Sequence, residues 1–291
     1  MRVTQSMITR NLMQSIQRNR ENMSTLQYAI ATGKEVHHSS NDPTQFNRAS
    51  RFRSIINQND QHMRTITDAL GWVDATTGIV DDVYSKLMDI KELATQGADE
   101  GTNLETRELL AGQMDSIIGE VTSLFNTTYL GKPLFSGTAT DSTSFDYDGT
   151  AVTYQGNSDN ITRRVAENLN IAIGVTGQQV EDTGIFTAMI SLRDALLADD
   201  TTGIATASVS LDSTIEQFTS LTTAYGSIQN HLTLTQQRLE TANVNLYSYL
   251  SQTEDMDMTE AITQYNAEEM AYKAALQTTT DAINLNILDF I

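Results

Sequence analysis

The chain has 291 residues, a formal net charge of −19 and no cysteine. Because nucleic acids and anionic membranes repel an acidic surface, neither is expected as a partner. The absence of cysteine excludes disulfides, thiolate metal sites and cysteine nucleophiles. Only 7% of the residues are aromatic and only two are proline, which favours long helices with thin apolar stripes over a compact enzyme core. No apolar run reaches the roughly 18 residues that a bilayer span needs, and the N-terminus lacks a signal-peptide pattern.

The charges are distributed unevenly between the two ends of the chain. Residues 1–53 carry eight basic and three acidic side chains, whereas residues 252–291 carry eight acidic side chains and one lysine. Two interpretations remain open. The ends form independently solvated helix faces, or they attract each other and lie side by side.

The first segment has an apolar pattern with alternating spacings of four and three residues. This is the heptad repeat with which helices wind around one another. Asn19 fills one interior position of the pattern, and Gly33 predicts the end of the helix. The predicted assembly seam of this helix consists of Leu12, Ile16, Met23, Leu26 and Ile30.

Two further helices are predicted before the middle of the chain. Asp42 is a suitable N-cap and Pro43 suits the first helical position, so a long helix is expected from Pro43 to about Gln96. The next helix is predicted to begin at a capping box formed by Thr102 and Glu105.

Residues 137–180 contain turn residues and short alternating runs. Asp148-Gly149 is a strong hairpin signal, because both residues tolerate positive φ. The predicted register pairs Tyr147 with Thr150 and Phe145 with Val152. It places four apolar side chains on one face of the hairpin: Phe145, Tyr147, Val152 and Tyr154.

Helices resume after this insert. A short helix is predicted near Ile185–Leu197, and a long apolar seam follows from Leu211 to Leu246. Asp257 and Glu260 are predicted to cap the last helix. The predicted assembly seam of that helix consists of Ile262, Tyr265, Leu276, Ile283 and Phe290.

The order of elements predicts a mainly α fold, a long-helix coiled coil or bundle built from both chain ends, with a small β-rich inserted domain. Residues 1–42 with 252–291 are expected to form a terminal coiled-coil assembly domain. Residues 43–136 with 181–251 are expected to form a helical bundle, and residues 137–180 a β-rich outer domain. Because the terminal seams bury little apolar area, the ends are expected to become ordered on assembly.

Candidate catalytic chemistry is sparse. The four histidines have no partners at metal-ligand spacing, and we interpret them as surface residues. A calcium loop that starts at Asp146 would have Asn157 where it needs glutamate. The sequence contains no phosphate-binding loop, nucleophile elbow or dinucleotide fingerprint. We therefore expect no enzyme activity, no cofactor and no metal.

Three motifs resemble the bacterial flagellins and their hook-associated relatives. Gly33-Lys34 followed by Ser39-Ser40-Asn41-Asp42-Pro43 resembles the family motif between the first two helices. The run Asn126–Gly137 resembles the exit into the outer domain, and Glu254–Ala261 resembles the turn into the last helix. Together the motifs cover both arms, about three-quarters of the chain.

Three details are similar to the hook-associated branch of this family. They are the start Met1-Arg2-Val3-Thr4, the pair Leu134–Thr138 and Tyr154–Asn157, and the ending Leu285–Ile291. Two departures from the family pattern are present. Asn157 stands where aspartate is commoner, and Asn284 and Asn286 make the ending less similar to that of the family.

The resemblance implies a structural component of the flagellum that is exported by the flagellar type III apparatus. It implies an export chaperone at the C-terminal arm and self-assembly as a ring at the junction of hook and filament. The implied neighbours are the adjacent hook-associated protein and flagellin. The alternative functions are a short filament flagellin and a cytoplasmic coiled-coil adaptor.

Overall fold

The computed structural model describes residues 5–36, 42–139 and 143–288. Their contacts divide the chain into two compact units, residues 1–58 with 242–291 (unit 1) and residues 59–241 (unit 2). The predicted mainly α fold with small β elements is confirmed. The helices are α1 (Gln5–Thr32), α2 (Pro43–Ala98), α3 (Leu104–Phe125), α4 (Gly177–Glu181), α5 (Ile185–Leu197), α6 (Thr201–Glu254) and α7 (Met258–Leu288).

Short strands follow α3 and form three antiparallel hairpins. They are β1 (Thr128–Tyr129) with β2 (Lys132–Pro133), β3 (Phe145–Tyr147) with β4 (Val152–Tyr154), and β5 (Thr162–Ala166) with β6 (Leu169–Ala172). No helix within the described ranges combines the length and the apolarity that a membrane crossing requires.

The helix ends show which predicted caps are used. Gly33 follows α1 with φ of 71°, a left-handed conformation that glycine adopts without strain. Asp42 Oδ1 accepts hydrogen bonds from the Thr44 and Gln45 backbone amides, at 2.8 and 3.0 Å, as expected for an N-cap. The predicted Thr102 cap is wrong. Asn103 caps α3 instead, because its side chain accepts from the Thr106 amide at 2.8 Å.

The core of unit 2 is built around Phe125. Its ring lies 5.0 Å from Phe135, 5.5 Å from Phe145, 5.8 Å from Phe186 and 6.5 Å from Phe218, measured between centroids. The five rings come from α3, β3, α5, α6 and the segment after β2. The helices of unit 2 and its hairpin β3–β4 therefore share one core.

The hairpin β3–β4 has a longer loop than predicted. Tyr147 pairs with Val152 and Phe145 pairs with Tyr154, so the loop comprises residues 148–151. The loop is wider because Asp148 Oδ1 accepts from the Thr150 and Ala151 amides, both at 2.8 Å. The register differs from the predicted one by two residues, which keeps all four predicted side chains on one face.

The two compact units differ from the three domains predicted from sequence. The boundary between the units lies after residue 58 and before residue 242. Residues 137–180 belong to unit 2, where Phe145, Ile173 and Val180 are buried in the same cluster as the helices. The independence of residues 137–180 as an outer domain stays a prediction.

Arg193 on α5 connects this helix to the tip of the β3–β4 hairpin. Its side chain is buried, and Nη1 donates to the Tyr147 hydroxyl at 2.8 Å and to the Gly149 carbonyl at 2.9 Å. Nη2 donates to Asp194 Oδ1 at 2.8 Å. Burial raises the pKa of Tyr147, so its hydroxyl stays protonated at neutral pH.

Replacing Arg193 with alanine is expected to lower the free energy of unfolding of unit 2 by about 2–3 kcal/mol, since several hydrogen bonds to a buried charged group are lost. Urea unfolding followed by the fluorescence of Trp72, the single tryptophan, measures the change. Arg164→Ala is the control, because that side chain is exposed on β5. Equal stability of the two variants would show that the Arg193 contacts are dispensable.

Candidate functional site

The two chain ends pair as antiparallel helices in unit 1. Backbone groups of Lys34 and Asp255 form an antiparallel bridge next to the facing ends of α1 and α7. Further along the pair, Asn22 Nδ2 on α1 donates to Glu268 Oε1 on α7 at 3.1 Å. Of the two interpretations of the end charges, the structure shows the ends side by side.

The predicted seam of α1 lies on one face of that helix. Leu12, Ile16, Met23, Leu26 and Ile30 are all half-buried, and Asn19 lies among them with a similar exposure. Ala29 is the fully buried side chain of this face, with an exposed fraction of 2%. The pairing with α7 accounts for this burial, whereas a role in assembly between copies stays a prediction.

The face that α7 turns to α1 is not the one predicted. Ile262 and Leu276 are exposed, with exposed fractions of 47% and 42%, whereas Tyr265 is half-buried. Glu269 apart, the buried and half-buried residues of α7 recur with spacings of four and three: Ala261, Tyr265, Glu268, Tyr272, Ala275 and Thr279.

Two predicted seam residues cannot be placed in this face. Ile283 lies within α7, but the structure describes none of its side-chain surroundings. Phe290 lies outside the described residues. Their role in a seam stays a prediction.

Three exposed apolar side chains of α7 and the half-buried Glu269 form a second stripe beside the α1-facing one. We define the α7 outer stripe as Met258, Ile262, Glu269 and Leu276. Tyr265 and Tyr272 lie between the two stripes, and with them the outer stripe also follows spacings of four and three. A helix with two adjacent heptad stripes can pack against one helix on each. Within the chain, α1 occupies one of them.

A buried carboxylate joins the turns after α1 and α6. Glu254 is 3% exposed, and its Oε1 lies 2.7 Å from Lys34 Nζ while its Oε2 pairs with Arg53 of α2. Its carbonyl accepts from the Glu35 amide at 2.8 Å, and the Met256 amide donates to the Gly33 carbonyl at 3.0 Å. This cluster, the Glu254 clamp, ties the ends of α1 and α6 to the first part of α2.

Sequence reasoning missed the Glu254 clamp, although Lys34 and Glu254 stand in two of the quoted motifs. The opposite charges of the two chain ends were a signal for this cluster. A glutamate near the C-terminus meets basic residues near the N-terminus when the two ends lie side by side.

Replacing Glu254 with alanine is expected to loosen the clamp by about 2 kcal/mol, because Lys34 and Arg53 lose a buried partner but keep access to water. The amide protons of Glu35 and Met256 report this as hydrogen exchange that is faster by roughly thirtyfold. Asp255→Ala is the control, since its side chain is exposed. Unchanged exchange in Glu254→Ala would contradict the assigned role.

Hydrogen bonds from the Gln45 and Thr44 backbone lower the pKa of Asp42 at the start of α2. The sign follows from linkage, because a carboxyl with a lowered folded pKa stabilises the fold above its unfolded pKa. That contribution is lost as the pH falls through the lowered value. This cap therefore weakens only under strongly acidic conditions.

No group of three histidine, aspartate or glutamate side chains in the described ranges could hold a metal ion. The prediction of surface histidines is wrong for His62, which is 9% exposed on α2. His231 is exposed, and His37 and His38 lie outside the described residues.

The family model of the bacterial flagellin N-terminal helical region matches residues 3–140, and that of the flagellin C-terminal helical region matches residues 209–291. These matches contain α1, α7 and the Glu254 clamp. This chain belongs to the bacterial flagellin family. Its paired ends are accordingly the two terminal regions by which the flagellin family is recognised.

Relatives within the flagellin family include both flagellins and hook-associated proteins. Flagellar hook-associated protein 3 of Escherichia coli is 22% identical over 89% of this chain and 89% of its own length. A flagellin of Halalkalibacterium halodurans is 20% identical over 84% of this chain and 82% of its own length.

Two solved structures share the fold. One, from Vibrio parahaemolyticus, is provisionally assigned as a flagellar hook-associated protein and has a TM-score of 0.68 at 18% identity, covering 74% of this chain and 100% of its own. The flagellar junction protein of Legionella pneumophila has a TM-score of 0.59 at 14% identity, covering 73% of this chain and 100% of its own. At these identities the likeness establishes the fold alone.

Proposed function

We propose that this flagellar protein assembles with further copies of itself as a ring at the hook–filament junction and adapts the hook to the filament. The observation that carries the proposal is the α7 outer stripe. Because α7 already packs against α1 along one stripe, its second heptad stripe remains exposed. Met258, Ile262 and Leu276 on that stripe suit packing against another subunit. The proposed role is structural.

The hook-associated branch is supported by a relative and by a solved structure that are named for it. The Escherichia coli relative named for that branch aligns with most of both chains. The fold is shared with a protein named for the flagellar junction. The proposed neighbours are therefore the adjacent hook-associated protein on one side and flagellin on the other.

Export and protection before assembly form part of the same proposal. The chain is secreted through the flagellar type III apparatus, and an export chaperone holds the C-terminal arm. The α7 outer stripe supports the chaperone contact, because exposed methionine, isoleucine and leucine side chains on one helix favour premature association.

The test is deletion of the gene from the source bacterium, followed by electron microscopy of the cells. Hooks without filaments, with flagellin released into the medium, are the expected result. Re-expression of the chain restores filaments. Normal filaments on the deletion strain would contradict the proposal.

A short filament flagellin is the second candidate, favoured by the similarity to the Halalkalibacterium halodurans flagellin over most of both chains. Immunogold labelling of intact flagella distinguishes the two. The junction protein labels one position next to the hook, whereas a flagellin labels the length of the filament. The cytoplasmic adaptor is not retained, because the chain belongs to the flagellin family.

A further inference from the structure

The outward face of the first part of α2 carries a third heptad stripe. Thr44, Arg48, Arg51, Ile55 and Gln58 recur with spacings of four and three, and all five are exposed. We call them the α2 basic stripe. Ala49 and Ile56 lie on the other side of the helix, with exposed fractions of 1% and 4%. The stripe therefore faces away from the interior of unit 1.

Arg48 and Arg51 lack acidic partners within the described residues. No described carboxylate lies within ion-pair distance of either, whereas the neighbouring Arg53 pairs with Glu254. Arg48 is nevertheless held in place, since its guanidinium carbon lies 5.9 Å from the centroid of the Phe52 ring. That ring in turn lies 6.0 Å from the ring of Tyr249. A charge that is already positioned loses less entropy when a partner binds.

The surface beside these arginines is concave. Pro43, Thr44, Asn47, Arg48 and Arg51 line an open cavity of about 500 Å³. Ile55, exposed by 43%, continues the stripe along the helix. The combination suits a ligand that is helical, acidic and partly apolar, because the charges steer it and the apolar contact is buried.

We propose that the α2 basic stripe of one copy binds the α7 outer stripe of a second copy. The two stripes match in charge and in period. In the α7 stripe Glu269 lies among Met258, Ile262 and Leu276. Within the copy its Oε1 lies 2.7 Å from Nζ of Lys273, the one basic side chain against eight acidic ones in residues 252–291. The α2 stripe repeats with spacings of four and three, and the α7 stripe does so together with Tyr265 and Tyr272, so the two sets of side chains interdigitate along a shared helix–helix contact.

This inference rests on the proposed self-assembly and names the surface that receives α7. It also gives a role to the separation between the basic residues in the first part of α2 and the acidic residues of α7. Within one copy α7 packs against α1, and the arginines of the α2 basic stripe remain available for the next copy.

The test joins two full-length variants in assembled flagella. Because the chain has no cysteine, a thiol introduced into it is unique. Thr44→Cys on α2 and Asn266→Cys on α7 are produced together in a strain whose own gene for this protein is deleted. Isolated flagella are then treated with a short bis-maleimide. The expected product is a dimer of the two variants, joined between α2 and α7. Asn57→Cys, exposed on another side of α2, replaces Thr44→Cys in the control and gives at least about tenfold less dimer.

Charge reversal supplies a second, independent readout. Arg48→Glu with Arg51→Glu is expected to lower the dimer yield about tenfold, and Glu269→Lys in the other copy is expected to restore most of it. Lysine at both arginine positions keeps the yield. Equal yields for all charge variants would overturn the inference.

The failures of the two proposals are distinguishable. If immunogold places the chain at the junction but no α2–α7 dimer forms, the inference is wrong and the proposed function stands. A product that joins Thr44→Cys to flagellin or to another protein also overturns the inference. If the chain is absent from flagella that are otherwise normal, the proposed function fails as well.

Discussion

Cells that produce the Leu26→Asp variant are expected to carry hooks without filaments. Leu26 is half-buried against α7 and lines a groove of about 470 Å³ together with Asn19, Gln264, Ala267, Glu268 and Ala271. An aspartate there places a carboxylate in a partly desolvated seam beside Glu268, which repels it. The cost is about 2–4 kcal/mol per copy, and it recurs in every subunit of the ring.

Electron microscopy of the cells and the amount of flagellin in the medium measure this effect. Gln27→Asp is the matched control, because it adds the same charge at an adjacent, exposed position of α1. Unit 2 is expected to remain folded in both variants, since no described residue of α1 belongs to its core. Normal filaments with Leu26→Asp would show that the α1–α7 pair is not needed for attachment.

Replacing Phe125 with alanine is expected to destabilise unit 2 by about 3–5 kcal/mol, the usual cost of removing a large aromatic side chain from a core. Phe125 is completely buried and makes ring contacts with Phe135, Phe145, Phe186 and Phe218. Its loss opens a cavity where the helices and the β3–β4 hairpin meet.

Urea unfolding of the full chain, followed by the fluorescence of buried Trp72, measures this change. Leu109→Ala on the same helix α3 is the control, since Leu109 is 65% exposed, and it is expected to cost less than about 0.5 kcal/mol. A loss below about 1 kcal/mol for Phe125→Ala would mean that the hairpin and the helices are stabilised independently. It would then favour the separate β-rich domain expected from sequence.

The predicted seam of α1 faces α7 within the chain, whereas Ile262 and Leu276 of the predicted α7 seam are exposed; as assembly seams both sets stay predictions. On α1 the five apolar residues of the heptad are half-buried, whereas Met13 and Tyr28, which lie outside the heptad, are exposed, so the spacing identifies the packed side. On α7 two heptads overlap, one that includes exposed Ile262 and one that includes buried Ala261. Apolar size indicates which residues gain from burial, but it does not say whether the partner is in the same chain.

Local chemistry in the sequence determined the start of α2 at Asp42-Pro43, the end of α1 at Gly33 and the apolar face of the β3–β4 hairpin. Helix capping, the positive φ of a glycine and the alternation of side chains along a strand each depend on only a few neighbouring residues. Only the tertiary structure decided the Glu254 clamp and the Phe125 cluster. Lys34 and Glu254 are 220 positions apart in the chain and come within 2.7 Å only when the ends pair. The hairpin, likewise, has no core of its own until Phe145 meets Phe125 and Phe186. Such contacts depend on where the long helices carry each residue, which no local pattern encodes.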